Sequence, residues 1–113
     1  AKYSFATRFE NGPGTNPEEL IGAAHAGCFS MALSGELSKA GFTPESVNTS
    51  ATVNLENHPQ TSWTVTGVHL ETRAKVPNIT PEKFAEISAG AKAGCPISRL
   101  LKSVEITLDA KLV

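Results

Sequence analysis

Charge of a single sign is missing from this chain. Ten Lys and Arg residues stand against eleven Asp and Glu, interspersed over 113 residues, for a net charge of −1. With no basic cluster to release counterions from a phosphate backbone, an electrostatically driven nucleic-acid binder is excluded. Long apolar runs are missing too. The longest weakly polar stretch, Leu20 to Leu33, contains His25 and Ser30 and is too short to span a bilayer, so no membrane partner is expected. No charged-then-apolar leader is read before it. Cysteine is scarce: Cys28 and Cys95 lie 67 residues apart, unlike the clustered pairs of zinc ribbons or thioredoxin-like sites. The expected compartment is therefore the reducing cytoplasm, where a permanent structural disulfide is disfavoured. Repeats and low-complexity segments are also lacking.

What is present suits one modest core. Hydrophobic residues make up 40% and charged residues 19%, which predicts a single domain over 1–113. Tyr3, Phe5, Thr7 and Phe9 alternate with polar neighbours, the period of a half-buried strand. A chain opening in mid-strand is expected to lack something upstream. After the Gly/Pro loop ENGPGTN, Asn16-Pro17 with Glu19 reads as a capped helix start, and Gly41 as its terminator. From Leu20 to Leu33 this helix is apolar nearly all round, which predicts burial, and its small residues allow close approach.

Val47, Ala51, Val53 and Leu55 mark a second strand, and NHPQTS a turn. In the third strand the apolar phase flips at Gly67, which predicts a β-bulge. Thr80-Pro81-Glu82 caps a helix with Phe84, Ile87 and Ala91 on one face and Gly94 at its end. Cys95-Pro96 opens a short helix to about Leu101, and Val104 to Leu112 alternate as a last strand.

Strands in runs with segregated helices imply an α+β class with a mostly antiparallel sheet. A helix from Pro17 to Ala40 is about 36 Å long, too long and too apolar for four strands to cover. A homodimer with the Leu20–Leu33 segment buried between subunits is therefore expected.

The cysteines carry the chemistry. Cys95 stands at a helix N-cap, where unpaired N–H groups lower a thiol pKa. Cys28 lies mid-helix, where apolar surroundings alone raise it, so it is a packing residue unless a base or cation is near. His25, three residues earlier, is within reach on the same face. Arg8 is the other candidate, since a guanidinium stabilises a thiolate without deprotonating. An arginine in an apolar site needs a carboxylate, and Glu18 and Glu19 are nearest in sequence. Glu18 and Cys28 are ten residues apart, about 15 Å along one helix. A Glu18–Arg8–Cys28 cluster is strained within one subunit but reachable across a dimer of antiparallel helices.

TRFENGPGTNPEELIGAAHAGCFSMALS followed by AKAGCPISRLLKSVEITLD resembles the OsmC/Ohr family of organic hydroperoxide reductases, in its OsmC branch. The likeness covers nearly the whole chain and both cysteine blocks in order. It implies an OsmC-like fold in an intertwined, swapped homodimer with sites at the subunit boundary. It also implies a thiol peroxidase of oxidative and osmotic stress defence. Cys28 would be the peroxidatic residue, Cys95 the resolving one, Arg8 the thiolate stabiliser and Glu18 the holder of Arg8. The partners would be an organic hydroperoxide and a dithiol reductant, lipoyl-type or other, with no metal and no cofactor. His25 matches the OsmC branch without gaining a catalytic role. Leu20, Ile21, His25 and Phe29, with Met31 nearby, are the residues expected to shape an apolar pocket. Family members carry an additional N-terminal β-hairpin before the segment at which this sequence starts.

Two rival classes remain. One is a metal-binding protein using Cys28, His25, Cys95 and one of His58 or His69, although closed zinc sites want four ligands in a tetrahedron. The other is a non-catalytic stress or assembly protein on the same fold.

Overall fold

The computed structural model describes residues 2–9 and 12–113. In chain order these form α1 (Phe5–Phe9), α2 (Pro17–Lys39), β1 (Ser46–His58), β2 (Ser62–Lys75), α3 (Pro81–Gly94), α4 (Pro96–Leu100) and β3 (Glu105–Leu112). Glu10 and Asn11, the first two residues of the expected Gly/Pro loop, lie outside the described residues.

Local chemistry sets the helix ends where the sequence places them. Asn16 accepts a hydrogen bond from the Glu19 amide at 2.8 Å, and Pro17 occupies the first turn, where its missing N–H costs nothing. α2 stops at Ala40, followed by Gly41 at φ 91°, a conformation L-residues with a Cβ rarely adopt. Thr80 caps α3 in the same way, accepting from the Lys83 amide at 3.1 Å. Cys95 ends α3 and begins α4, with Pro96 in the first turn.

Residues 3–9 depart from expectation. The alternating segment is helical, not a strand, over Phe5–Phe9. Alternation describes which residues would face a core, but a strand exists only when it pairs with another, and among the described residues the sheet's three strands pair with one another and not with this segment. Ser4 and Thr7 instead satisfy each other: the Ser4 amide donates to Thr7 Oγ1 at 2.8 Å and the Thr7 amide to Ser4 Oγ at 3.1 Å. Phe5, Phe9 and Trp63 then form an aromatic row, with ring centroids 5.0 and 4.7 Å apart, that lays α1 on the tip of the β1–β2 hairpin.

The sheet has the order β1-β2-β3. β1 and β2 pair antiparallel through the tight turn at His58–Ser62, whereas β3 pairs parallel to β2. The sheet is thus mixed, where a mostly antiparallel one is expected. The reason lies in the α3–α4 connection, which carries the chain back to the end of the sheet where β2 began, so β3 runs in the same direction. The bulge falls where the apolar phase flips: Asn54 pairs with Gly67 and Leu55 with Val65, leaving Thr66 extra. From there Val68, Leu70, Thr72 and Ala74 all point into the core.

α2 lies across β1 and against α3. It buries Glu18, Gly22, His25, Phe29, Leu33 and Leu37, a stripe at helical spacing. Gly22 lets the backbones meet, since a Cβ there would stand 3.3 Å from Val53 Cγ2. Phe29, Leu33 and Leu37 join Val68, Leu70, Phe84, Ile87 and Ala91 in the core. Burial of the helix all round is not met within one chain: Leu20 is 48% and Met31 77% exposed. One chain has a single sheet face to offer, and it covers a single side of the rod.

Asn16 has a second task. Its Nδ2 donates to the Thr7 carbonyl at 2.5 Å, a buried bond that ties α1 to the start of α2. Asn16→Ala removes both bonds and is expected to lower the unfolding free energy by about 1–2 kcal/mol, measured by urea denaturation.

Candidate active site

The two cysteines, 67 residues apart in sequence, meet. Their sulfur atoms are 2.9 Å apart, both as free thiols. Cys28 comes from the middle of α2 and Cys95 from the α3–α4 junction, brought together because Phe29 and Leu33 pack with Ile87 and Ala91 in the core beneath. Cys95 is fully buried. Cys28 is half-buried and opens onto a groove of about 650 Å³ lined by Ala23, Ala24, Gly27, Met31, Pro96 and Ile97, together with Ala32.

Burial pushes the Cys28 thiol up, and its hydrogen bond with Cys95 pushes it further, against a smaller opposing pull from the Ile97 amide. Burial acts on Cys95 in the same sense. There the contact with Cys28, the amide and hydroxyl of Ser98 and the amide of Ile97 together outweigh it, and the Cys95 thiol is lowered. None of these contacts closes to a standard N-cap bond on the sulfur. They act as a field of donors around it. Their surroundings thus push the two thiols in opposite directions, Cys28 up and Cys95 down.

Arg8 and Glu18 also pair, as expected, with Nε 2.5 Å from Oε1. Glu18 is buried at the first turn of α2, and the pair walls a second groove with Asn16, Glu19, Ala51 and Val53. This is a separate place. Glu18 precedes Cys28 by ten residues, about 15 Å along the helix, and Arg8 is not among the groups acting on Cys28. The chain brings together two pairs and holds them apart.

Of the residues expected around the pocket, Met31 lines the Cys28 groove. Leu20 is exposed about two turns away, Ile21 is half-buried, and Phe29 sits in the core. His25 also faces inward: it is fully buried, with Nε2 2.7 Å from Ser98 Oγ, and does not bond Cys28. His69 Nδ1 bonds Thr107 on the open face of the sheet, and no group of three His, Cys, Asp or Glu gathers among the described residues. The sequence reading missed Ser98, the wall of small residues and Ile97. Helical spacing carries the signal: Ala24, Met31 and Ala32 are four before, three after and four after Cys28, and Ser98 is three after the capping Cys95.

The profile described as OsmC-like protein matches residues 10–109. The chain belongs to the OsmC-like family. It is 54% identical to the Peroxiredoxin OsmC of Escherichia coli over 110 residues, covering 97% of this chain and 76% of that one. It is 30% identical over 102 residues to the Organic hydroperoxide resistance protein-like 1 of Staphylococcus saprophyticus, covering 88% and 71%. Among solved structures, the organic hydroperoxide resistance protein OhrB of Bacillus subtilis superposes with a TM-score of 0.78 at 26% identity, covering 89% of this chain and 73% of that one. Across the OsmC-like structures it resembles, this chain spans 65% to 79% of their length. No helix among the described residues is long and apolar enough to cross a membrane.

Burial lowers the His25 pKa from its ordinary value, so His25 is neutral in the folded protein. Unfolding lets it gain a proton near its ordinary pKa. Its neutral burial therefore contributes full stability above about pH 6.5 and progressively less as pH falls below, by up to about 1.4 kcal/mol per pH unit. Denaturant midpoints between pH 7 and pH 5 are expected to fall in the native protein and to fall less in His25→Phe.

Proposed function

We propose that this protein is a cytoplasmic thiol-dependent peroxidase of stress defence that reduces organic hydroperoxides to alcohols, working as a homodimer. One observation carries the reading: two free thiols from distant parts of the chain approach to 2.9 Å, one sealed and one facing an apolar groove. The names of the E. coli and S. saprophyticus relatives support it.

In the first step the Cys28 thiolate attacks the distal oxygen of ROOH. The O–O bond breaks, the alkoxide takes a proton and leaves as alcohol, and Cys28 becomes a sulfenic acid. Cys95 then attacks the Cys28 sulfur, the S–O bond breaks, and the oxygen leaves as water. A dithiol, lipoyl-type or other, reduces the disulfide by exchange. The wall of Ala, Gly, Met, Pro and Ile side chains favours an alkyl group over bare H₂O₂.

The dimer follows from what one chain leaves undone. Alone, it pushes the Cys28 thiol up and pairs Arg8 with Glu18, which stands about 15 Å from Cys28 along α2. Arg8 and Glu18 of a second copy, its α2 antiparallel to the first, would reach the Cys28 groove and cover the exposed Leu20 and Met31. A cation there moves the charge across the sulfur–sulfur contact onto Cys28. Arg8 would also polarise the bound peroxide.

Single-turnover oxidation with cumene hydroperoxide, read by mass spectrometry, tests this. The native protein is expected to form the disulfide, Cys95→Ser to stop at a sulfenic acid on Cys28, and Cys28→Ser to remain unmodified. Oxidation of Cys28→Ser at the native rate overturns the proposal. Arg8→Met is expected to slow sulfenic acid formation about 100-fold, measured in the same assay.

A further inference from the structure

His25 is placed at an odd point for a packing residue. It is buried on the inner face of α2, one turn before Cys28, and its Nε2 lies 2.7 Å from Ser98 Oγ. Its other ring nitrogen, Nδ1, is buried with no hydrogen-bond partner among the described residues. That orphan decides the tautomer. A buried N–H without an acceptor is rarer and costlier than a bare acceptor nitrogen, so the proton belongs on Nε2. Nε2–H then donates to Ser98 Oγ, which fills an acceptor site of that oxygen and leaves its own hydrogen to point elsewhere. Cys95 stands three residues earlier, at the N-cap of the same short helix, so its sulfur is the acceptor at hand.

We propose that His25 and Ser98 form a hydrogen-bond relay of fixed direction, His25 Nε2–H to Ser98 Oγ–H to Cys95 Sγ, that stabilises negative charge on Cys95. Both are positioning residues for the resolving sulfur. The inference rests on the peroxidase reading for its chemistry but not for its geometry.

The relay acts at two points of the cycle. During disulfide formation Cys95 must give up its proton, which ends on the departing oxygen of the Cys28 sulfenic acid; the relay favours the thiolate that attacks, whose charge passes into the new S–S bond and onto the leaving oxygen as the S–O bond breaks. During reduction an incoming thiolate can reach only Cys28, because Cys95 is sealed. Cys95 is then the leaving group and takes the bonding pair from the broken S–S bond. A leaving thiol departs faster the better its anion is stabilised. Among the described residues, the groups acting on the Cys95 sulfur are Cys28 from α2 and Ile97 and Ser98 from α4, with no lysine or arginine among them.

Two measurements on the full chain test the relay. In a Cys28→Ser background, thiolate absorbance near 240 nm reports the ionisation of Cys95 directly. Adding Ser98→Ala or His25→Phe is expected to move that ionisation to higher pH, and adding Ser98→Thr, which keeps the hydroxyl, is expected to restore it. In the two-cysteine protein, disulfide closure after one equivalent of cumene hydroperoxide is expected to slow about 3- to 10-fold at neutral pH in Ser98→Ala. The deficit should disappear at alkaline pH, where Cys95 ionises unaided. An unchanged Cys95 titration in Ser98→Ala overturns the relay, as does a Ser98→Thr protein that titrates like Ser98→Ala. If Cys28 forms no sulfenic acid, the peroxidase reading fails, while the titration still decides the relay.

Discussion

Everything chemical in this molecule depends on one contact, the approach of two sulfur atoms held by elements that share no local sequence. The core makes it. Phe29, Leu33 and Leu37 press the inner face of α2 against Phe84, Ile87 and Ala91 of α3, and the end of α3 delivers Cys95 to the level of Cys28. Burying side chains of this size contributes on the order of 1.5–3 kcal/mol each, far more than a thiol–thiol hydrogen bond can. The sulfurs meet because the helices must pack, not the reverse.

Electrostatics then divides the roles. Within one chain the donors cluster on Cys95, from Ser98 and Ile97, and the Arg8 guanidinium is committed to Glu18 at the first turn of α2. On the proposed peroxidase reading, the lone chain is arranged for the second half of the cycle and lacks what the first half needs. The proposed dimer would supply the cation, since the same helix that exposes Leu20 and Met31 carries the Arg8–Glu18 pair at its end.

Features governed by neighbouring residues were legible in the sequence. Asn16-Pro17, Thr80-Pro81 and Gly41 set helix boundaries through bonds made inside a single turn, and the phase change at Gly67 marked the bulge because one extra residue must invert the alternation that follows. The cysteine pairing came from the family likeness alone, and the Arg8–Glu18 pair from that likeness and from Glu18 being among the nearest carboxylates in sequence. Other features depended on partners that a linear pattern does not name. Residues 3–9 alternate like a strand, yet no strand stands beside them to complete the hydrogen bonds. The direction of β3 is fixed by the path of α3 and α4, which apolar periodicity does not encode. The stretch Leu20–Leu33, apolar nearly all round, carries no stripe to say which side meets the core. For that reason the sequence pattern sets His25 and Phe29 around a pocket, whereas both line the interior of this chain, and it does not single out Ser98.

The sealing of Cys95 has a further consequence. Peroxide arriving in excess meets one sulfur only, since the other has no exposed surface. The irreversible rungs of thiol oxidation, sulfinic and then sulfonic acid, are therefore open to Cys28 and closed to its neighbour. On the proposed peroxidase reading, damage is a race on a single atom, and the time Cys28 spends as an unprotected sulfenic acid sets how many turnovers a molecule survives.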